Sequence, residues 1–140
     1  MQQDFPGFRN LESLSRMINL NPYLFVYGTL RLNAGNEVAQ FLHRNASFVG
    51  VGKMPGELFD LGAYPGAKYV ENAPTWVAGD VFKMHDANAV LRVLDEYEGI
   101  CPDCPLPHEY IRVQKPIQMG GAEQICWVYL YNSPAGGWLI

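Results

Sequence analysis

The chain has 140 residues, of which 49% are hydrophobic and 17% are charged, and its formal net charge is −4. A chain of this length is expected to form one domain, with a core large enough to need neither disulfides nor metal ions. The negative charge disfavours nucleic acid as a partner. The longest apolar run, Ile125 to Tyr131, has seven residues, whereas a membrane-spanning helix needs about 20.

The first twenty residues and the cysteine content indicate a cytoplasmic protein. Charged residues and Pro6 interrupt the first twenty residues, so they contain no apolar region of signal-peptide length. Three cysteines are too few for a disulfide scaffold, which agrees with a reducing compartment. We therefore expect a cytoplasmic monomer or weak homo-oligomer with no membrane or nucleic-acid partner.

The chain is predicted to consist of an N-terminal extension, residues 1–21, and one domain, residues 22–140. Apolar residues recur at helical spacing in the extension and predict a short helix there. These residues are Leu11, Leu14, Met17 and Ile18. The extension is expected to pack on the domain.

The domain is predicted to contain more strands than helices. Its first strand, at 23–27, is a short aromatic and β-branched run that Gly28 ends. A short helix with Asn36 as its N-cap follows at 36–43. Further strands are predicted at 47–61, 76–82, 110–113 and 125–131. The strand at 47–61 is expected to be bent or bulged, because glycines and Pro55 interrupt it.

A second helix is predicted from Asp86, a good N-cap, to Gly99, a good C-terminal stop. At about 100° per residue, Glu98 lies in the centre of its apolar stripe, Asp95 at the border and Glu96 on the opposite face. A carboxylate that points toward the core from the last turn of a helix meets desolvation and the negative end of the helix dipole, which both raise its pKa. Such a placement is typical of groups that have a basic partner or exchange protons near neutral pH. The alternative is that the helix end unwinds and exposes this carboxylate to water.

Four short segments resemble, in order and spacing, the gamma-glutamylcyclotransferase-like superfamily, in particular its gamma-glutamylamine cyclotransferase branch and related small bacterial proteins. They are Val-Tyr-Gly-Thr-Leu-Arg at 26–31, Tyr-Pro-Gly at 64–66, Leu-Asp-Glu-Tyr-Glu-Gly at 94–99 and Tyr-Ile-Arg at 110–112. The resemblance implies an α+β fold, in which a small, mostly antiparallel, barrel-like sheet carries one or two packed helices. This agrees with the excess of predicted strands.

The resemblance also implies site residues. Glu98 would be the catalytic acid/base, and Tyr110 would face the pocket. A loop would bind the glutamyl end of a small-molecule gamma-glutamyl substrate; its residues are Tyr27, Gly28, Thr29 and Leu30. A positive φ at Gly28 would allow a sharp turn whose N–H groups receive a carboxylate.

The implied reaction is the attack of the substrate's α-amine on its γ-carbonyl, which closes 5-oxoproline and releases an amine, with no cofactor and no metal ion. One carboxylate of raised pKa can take the proton and return it to the leaving nitrogen. The alternative is a non-catalytic or regulatory module that binds a small molecule through the same loop. Glu98 on the buried face favours the enzyme, because a pure binder does not need a costly carboxylate there.

The segment at 99–109 is longer and richer in proline than the family resemblance implies. Cys101 and Cys104, with His108 nearby, could be half of a zinc site or a redox pair. A structural zinc site needs four ligands, and the remaining candidates lack paired spacing; they are Cys126, His43 and His85. We therefore expect a rigid proline loop with two small apolar thiols.

Aromatic residues in strands lie more often in a core than in a pocket. Core positions are therefore expected for most of the remaining aromatic residues, although they could instead line a pocket. These are Tyr64, Tyr129, Tyr131, Trp127 and Trp138.

Overall fold

The computed structural model describes residues 20–31 and 33–132, and the backbone of a short strand at 138–139. Within these residues the elements are β1 (Tyr23–Val26), α1 (Glu37–Asn45), β2 (Ala46–Asp60), β3 (Pro65–Tyr69), β4 (Trp76–Met84), α2 (Ala87–Tyr97), β5 (Tyr110–Met119), β6 (Ala122–Tyr131) and β7 (Trp138–Leu139). The predicted N-terminal helix lies outside the described residues.

Five strands close into a barrel in the order β2, β4, β1, β6, β5 and back to β2. The closing contact pairs Lys53 of β2 with Gln118 of β5. β1 and β6 are parallel, with Leu24 opposite Trp127, and the other strand pairs are antiparallel. The predicted α+β fold with a small, mostly antiparallel barrel is confirmed.

β2 is one continuous strand, although Pro55 lies within it. A bulge between Phe48 and Gly50 confirms the predicted irregularity. Pro55 is tolerated because β2 changes partners there: residues 46–55 pair with β4, and residues 56–60 pair with β3. Proline lacks a backbone N–H, but at such a junction this does not break a continuous row of hydrogen bonds between two strands.

The two helices begin where their N-caps predict. Asn36 Oδ1 accepts a hydrogen bond from Ala39 N at 2.8 Å, and Asp86 Oδ1 accepts one from Ala89 N at 3.2 Å. The buried face of α2 joins one of the two core clusters of the domain together with residues of α1 and the barrel; it consists of Ala87, Val90, Leu91 and Leu94. Neither of the two described helices has the length and apolarity needed to cross a membrane.

The loop between α2 and β5 carries a disulfide bond between Cys101 and Cys104. A turn in which Cys104 N donates to Cys101 O brings the two Cα atoms to 5.1 Å, a separation that a disulfide can bridge. The prediction of two unpaired thiols is therefore wrong, because the two cysteines are bonded to each other. Among the described residues, no group of three or more His, Cys, Asp or Glu side chains is arranged to hold a metal ion.

Candidate active site

A cavity with a volume of about 470 Å³ opens where β1 ends, α2 ends and β5 begins. The six residues predicted for a site all border it: Tyr27, Gly28, Thr29, Leu30, Glu98 and Tyr110. The rest of the wall is aromatic, proline-rich and partly acidic, and consists of Phe25, Val26, Tyr64, Pro65, Tyr97, Gly99, Pro105, Pro107, Glu109 and Tyr129. The structure therefore brings together residues that are up to about one hundred positions apart in the chain.

Two hydrogen bonds hold the turn of the loop that follows β1. Arg31 N donates to Gly28 O at 3.3 Å, and Asn36 Nδ2 donates to Thr29 O at 2.6 Å. Arg31 also anchors the loop to β4, because its Nη2 lies 3.1 Å from the carboxylate of the buried residue Asp80. In the part of the chain that the structure describes, no acceptor binds the N–H groups of residues 28–30. Such a turn is able to receive an anion.

Gly28 is required for a different reason from the predicted one. Positive φ angles among the described glycines occur at Gly62, Gly99 and Gly120, so the expected positive φ at Gly28 is wrong. A Cβ at Gly28 would instead lie 3.1 Å from Cγ of Pro65, closer than normal van der Waals contact. Glycine thus permits the close approach of this loop to the start of β3.

The side chain of Tyr27 holds the end of β1 against the sheet. Its hydroxyl donates to Tyr129 O at 2.7 Å and accepts from Ala67 N at 3.1 Å. Burial raises the pKa of this hydroxyl, so it stays protonated near neutral pH. Thr29 Oγ1 lies 3.1 Å from Tyr97 OH and connects the loop to the end of α2.

Glu98 directly follows the last residue of α2 and borders the cavity. The helix end does not unwind: Glu98 N donates to Leu94 O at 2.9 Å, and Ile100 N donates to Asp95 O at 2.8 Å. Burial of the Glu98 carboxyl, with smaller contributions from Glu109 and Asp95, raises its pKa from 4.5 to about 7. The predicted direction of this shift is confirmed, and burial is its main cause.

The three carboxylates at the end of α2 have three different environments, as the helical angles predict. Asp95 accepts hydrogen bonds from Arg112 Nε at 2.7 Å, from Arg112 Nη2 at 3.1 Å and from Tyr129 OH at 2.7 Å. Glu96 is exposed to solvent. Within the described residues, the side chain of Glu98 has no hydrogen-bond partner.

Asp95→Asn should lower the free energy of unfolding by about 1.5–3 kcal/mol, the range for hydrogen bonds to a charged group. The asparagine side chain has no charge opposite Arg112. Its amide N–H₂ group would replace one of the carboxylate oxygens that accept hydrogen bonds from Arg112 and Tyr129. Chemical denaturation would measure the change, with Glu96→Gln on the exposed face as the control, expected within about 0.5 kcal/mol of wild type. Equal losses in the two variants would contradict a stabilising role for Asp95.

The raised pKa of Glu98 predicts a loss of stability as pH rises. Between about pH 4.5 and 7, the folded protein keeps a proton on Glu98 that the unfolded chain has released. The free energy of unfolding should therefore fall across this window, by about 3 kcal/mol from this group. Glu98→Gln should remove that fall and be the more stable protein at pH 8. Parallel pH curves of unfolding free energy for the two proteins would contradict the prediction.

An additional acidic residue in the wall, Glu109, was missed by the sequence reasoning. Tyr64 OH donates to its carboxylate, at 2.9 Å from Oε1 and 3.0 Å from Oε2. The ring of Tyr64 lies 6.2 Å from that of Tyr110, whose hydroxyl donates to Pro65 O at 2.9 Å. The sequence signal that could have identified Glu109 is its position directly before Tyr110, a residue predicted to face the pocket.

The aromatic residues divide between core and cavity. Tyr129 is buried and also borders the cavity, whereas Tyr64 borders the cavity with 39% of its surface exposed, so the expected core position of Tyr64 is wrong. Tyr131 and Trp127 are partly buried and pack against the core. The side chain of Trp138 lies outside the described residues.

Sequence comparisons match the chain to one family model and to a curated relative. The family model described as "Gamma-glutamyl cyclotransferase, AIG2-like" matches residues 24–139. Gamma-L-glutamyl-butirosin B gamma-glutamyl cyclotransferase of Niallia circulans is 32% identical over an alignment of 116 residues, and the alignment covers 79% of this chain and 67% of that protein.

Solved structures show the same fold. An AIG2-like protein of Mus musculus has a TM-score of 0.65 and 26% identity, covering 82% of this chain and 80% of its own. YkqA of Bacillus subtilis has a TM-score of 0.62 and 21% identity, covering 85% of this chain and 40% of its own, so this chain spans less than half of that protein. Because the family model covers most of the chain, the protein belongs to the gamma-glutamyl cyclotransferase, AIG2-like family.

Proposed function

We propose that this protein is an enzyme that cyclises gamma-glutamyl amines to 5-oxoproline and releases the amine. The observation that carries the proposal is the half-buried carboxyl of Glu98, which has a pKa raised to about 7 and borders the cavity without a hydrogen-bond partner among the described side chains. A general base is most effective when its pKa lies near the working pH. A structural carboxylate would instead be paired, as Asp95 is.

The shape of the site supports a small substrate with a carboxylate at one end. A volume of about 470 Å³ lies within the range of small-molecule sites. The unused N–H groups of residues 28–30 would receive the α-carboxylate of the glutamyl group. This would anchor the substrate at the end of β1, beside the end of α2.

With the substrate held in this way, Glu98 would accept a proton from the α-ammonium. The free amine attacks the γ-carbonyl carbon, a C–N bond forms, and a tetrahedral intermediate results. Glu98 returns the proton to the leaving nitrogen as the original amide C–N bond breaks. The ring nitrogen then gives a second proton to the Glu98 carboxylate, which passes it to the released amine. The positive charge of the α-ammonium therefore ends on the released ammonium, and the charge balances.

Mass spectrometry of purified protein incubated with gamma-glutamyl amines and gamma-glutamyl dipeptides would test the proposal. We expect 5-oxoproline and the free amine in equal amounts from at least one gamma-glutamyl amine. If no substrate yields 5-oxoproline while calorimetry detects binding of the same compounds, the protein is the non-catalytic binding module and the enzymatic proposal is wrong.

A further inference from the structure

We propose that the disulfide between Cys101 and Cys104 is a thiol–disulfide exchange site for dithiol reductants, and that its state controls how tightly the cavity binds substrate. The oxidised protein is the tight-binding form, and the reduced protein is the weak-binding form. The exchange itself does not depend on the proposed function, whereas the effect on substrate affinity rests on it.

The disulfide lies in the wall segment, residues 99–109, which forms one side of the cavity. Gly99 and Pro105 stand on either side of the two cysteines in the chain, and both border the cavity. Pro107 and Glu109 continue the same side. A change in backbone conformation at the disulfide would therefore move residues that face the substrate.

Hydrogen bonds to the rest of the domain hold the two ends of the wall segment. At its start, Ile100 N donates to Asp95 O at 2.8 Å. At its end, Asn132 N donates to Glu109 O at 2.7 Å, and Asn132 Nδ2 donates to His108 O at 2.9 Å. Both ends should therefore stay in place whatever the state of the cysteines.

The middle of the wall segment depends on the disulfide. Within the described chain, the hydrogen bond made by residues 101–107 is the one from Cys104 N to Cys101 O, at 3.1 Å, across the turn that the disulfide closes. Cleavage of the disulfide would leave this turn with that hydrogen bond alone. The positions of Pro105 and Pro107 beside the cavity would then be less well fixed.

The disulfide is accessible to a small reductant. Cys101 and Cys104 are half-buried, and the two residues between them, Pro102 and Asp103, are exposed. The third cysteine of the chain, Cys126, is fully buried, and burial raises the pKa of its thiol to about 12. Because the thiolate is the form that attacks a disulfide, Cys126 should take no part in the exchange.

The short separation of the two cysteines indicates a local role for the bond. In the chain-entropy account, a disulfide stabilises a fold more strongly when it closes a longer loop. This one joins residues three positions apart. Its reduction should therefore leave the domain folded and act mainly on the wall segment.

The exchange is a two-electron step. A thiolate of the dithiol attacks one sulfur of the disulfide, the bond between the two cysteine sulfurs breaks, and a mixed disulfide forms. The second thiolate of the reductant then displaces the bound cysteine and closes a cyclic disulfide. The reductant loses two electrons, and the two protons of its thiol groups end on the thiols of Cys101 and Cys104.

Reduction with dithiothreitol, followed by alkylation of the folded protein and mass spectrometry, would test the exchange. Glutathione is avoided because it is itself a gamma-glutamyl compound. We expect alkylation at Cys101 and Cys104 after reduction, and neither alkylation nor an adduct after reoxidation with hydroxyethyl disulfide. A disulfide that excess dithiothreitol leaves intact in the folded protein overturns the proposal, as does a pair that reoxidation leaves as thiols.

The kinetics of 5-oxoproline formation in the two states would test the effect on the cavity. For a gamma-glutamyl amine, we expect KM to be about tenfold higher in the reduced protein, as it would be if the wall segment adopted its binding conformation in about a tenth of the molecules. The kcat should stay within about threefold, because Glu98 N remains bonded to Leu94 O in the last turn of α2. Reoxidation should restore the KM.

Two variants assign the change in KM to the disulfide. The double variant Cys101→Ser, Cys104→Ser should have the KM of the reduced protein with or without dithiothreitol. Cys126→Ala is the matched control, because it removes the remaining cysteine and keeps the disulfide; its KM should respond to dithiothreitol as that of the wild type does. Equal KM values in the two states of the wild type, or a response that the double variant retains, overturn the proposal while 5-oxoproline formation leaves the proposed function intact.

If neither state forms 5-oxoproline, the proposed function is wrong, and calorimetry with an unreactive gamma-glutamyl analogue decides the inference. A dissociation constant about tenfold higher in the reduced protein supports control of binding by the disulfide. Equal affinities in the two states, or no binding by either, overturn it.

Discussion

Glu98→Gln should lose about 10²- to 10⁴-fold in turnover, the usual contribution of a general acid/base. The amide has almost the same shape as the carboxylic acid, so the fold and the affinity for gamma-glutamyl ligands should be retained. It cannot accept a proton from the α-ammonium, so the attacking amine is not released. The initial rate of 5-oxoproline formation would measure turnover, and calorimetry with an unreactive gamma-glutamyl analogue would measure binding.

The control for this variant is Glu96→Gln, which changes a carboxylate two residues earlier on the exposed side of α2. It should turn over within a few-fold of wild type. The wild-type kcat/KM should rise with pH through about 7, because the base form of Glu98 is needed. The residual activity of Glu98→Gln should lack this inflection. Turnover near the wild-type level in Glu98→Gln would show that another group moves the proton.

The end of α2 could be predicted from the sequence because its determinants are local. Asp86 and Gly99 bound the helix through hydrogen bonds and backbone angles within a few residues. The helical period then places Glu98 toward the interior and so predicts the direction of its pKa shift, because burial is the main cause of that shift. The strand pattern and the family resemblance were likewise enough to predict a barrel-like sheet.

The features that could not be predicted depend on contacts between distant segments. Tyr64 and Glu109 are 45 residues apart and meet because β3 and β5 begin at the same end of the barrel. The same packing brings Pro65 against Gly28, so a close approach and not a positive φ requires the glycine. The disulfide is the exception, because it joins residues three positions apart; it depends on the turn at Cys101, which the spacing of the cysteines alone does not determine.

Gly28→Val should abolish detectable binding of gamma-glutamyl ligands and lower the free energy of unfolding by about 1–3 kcal/mol, the usual cost of overpacking. The new Cβ would lie 3.1 Å from Cγ and 3.5 Å from Cδ of Pro65, so the loop or the start of β3 must move. Pro65 O accepts the hydrogen bond of Tyr110 OH, so this movement would disturb both sides of the cavity. Calorimetry with a gamma-glutamyl ligand and chemical denaturation would measure the two effects.

Two variants separate this effect from a general weakening of the loop. Gly35→Val makes the same substitution at a nearby exposed glycine whose added Cβ meets nothing within 4 Å, and it should bind as wild type does. Thr29→Ser keeps the hydroxyl that lies 3.1 Å from Tyr97 OH, and it should remain active. If Gly28→Val binds the ligand as tightly as wild type does, the loop at 27–30 is an ordinary connection between β1 and α1. The carboxylate of the substrate must then bind elsewhere in the cavity.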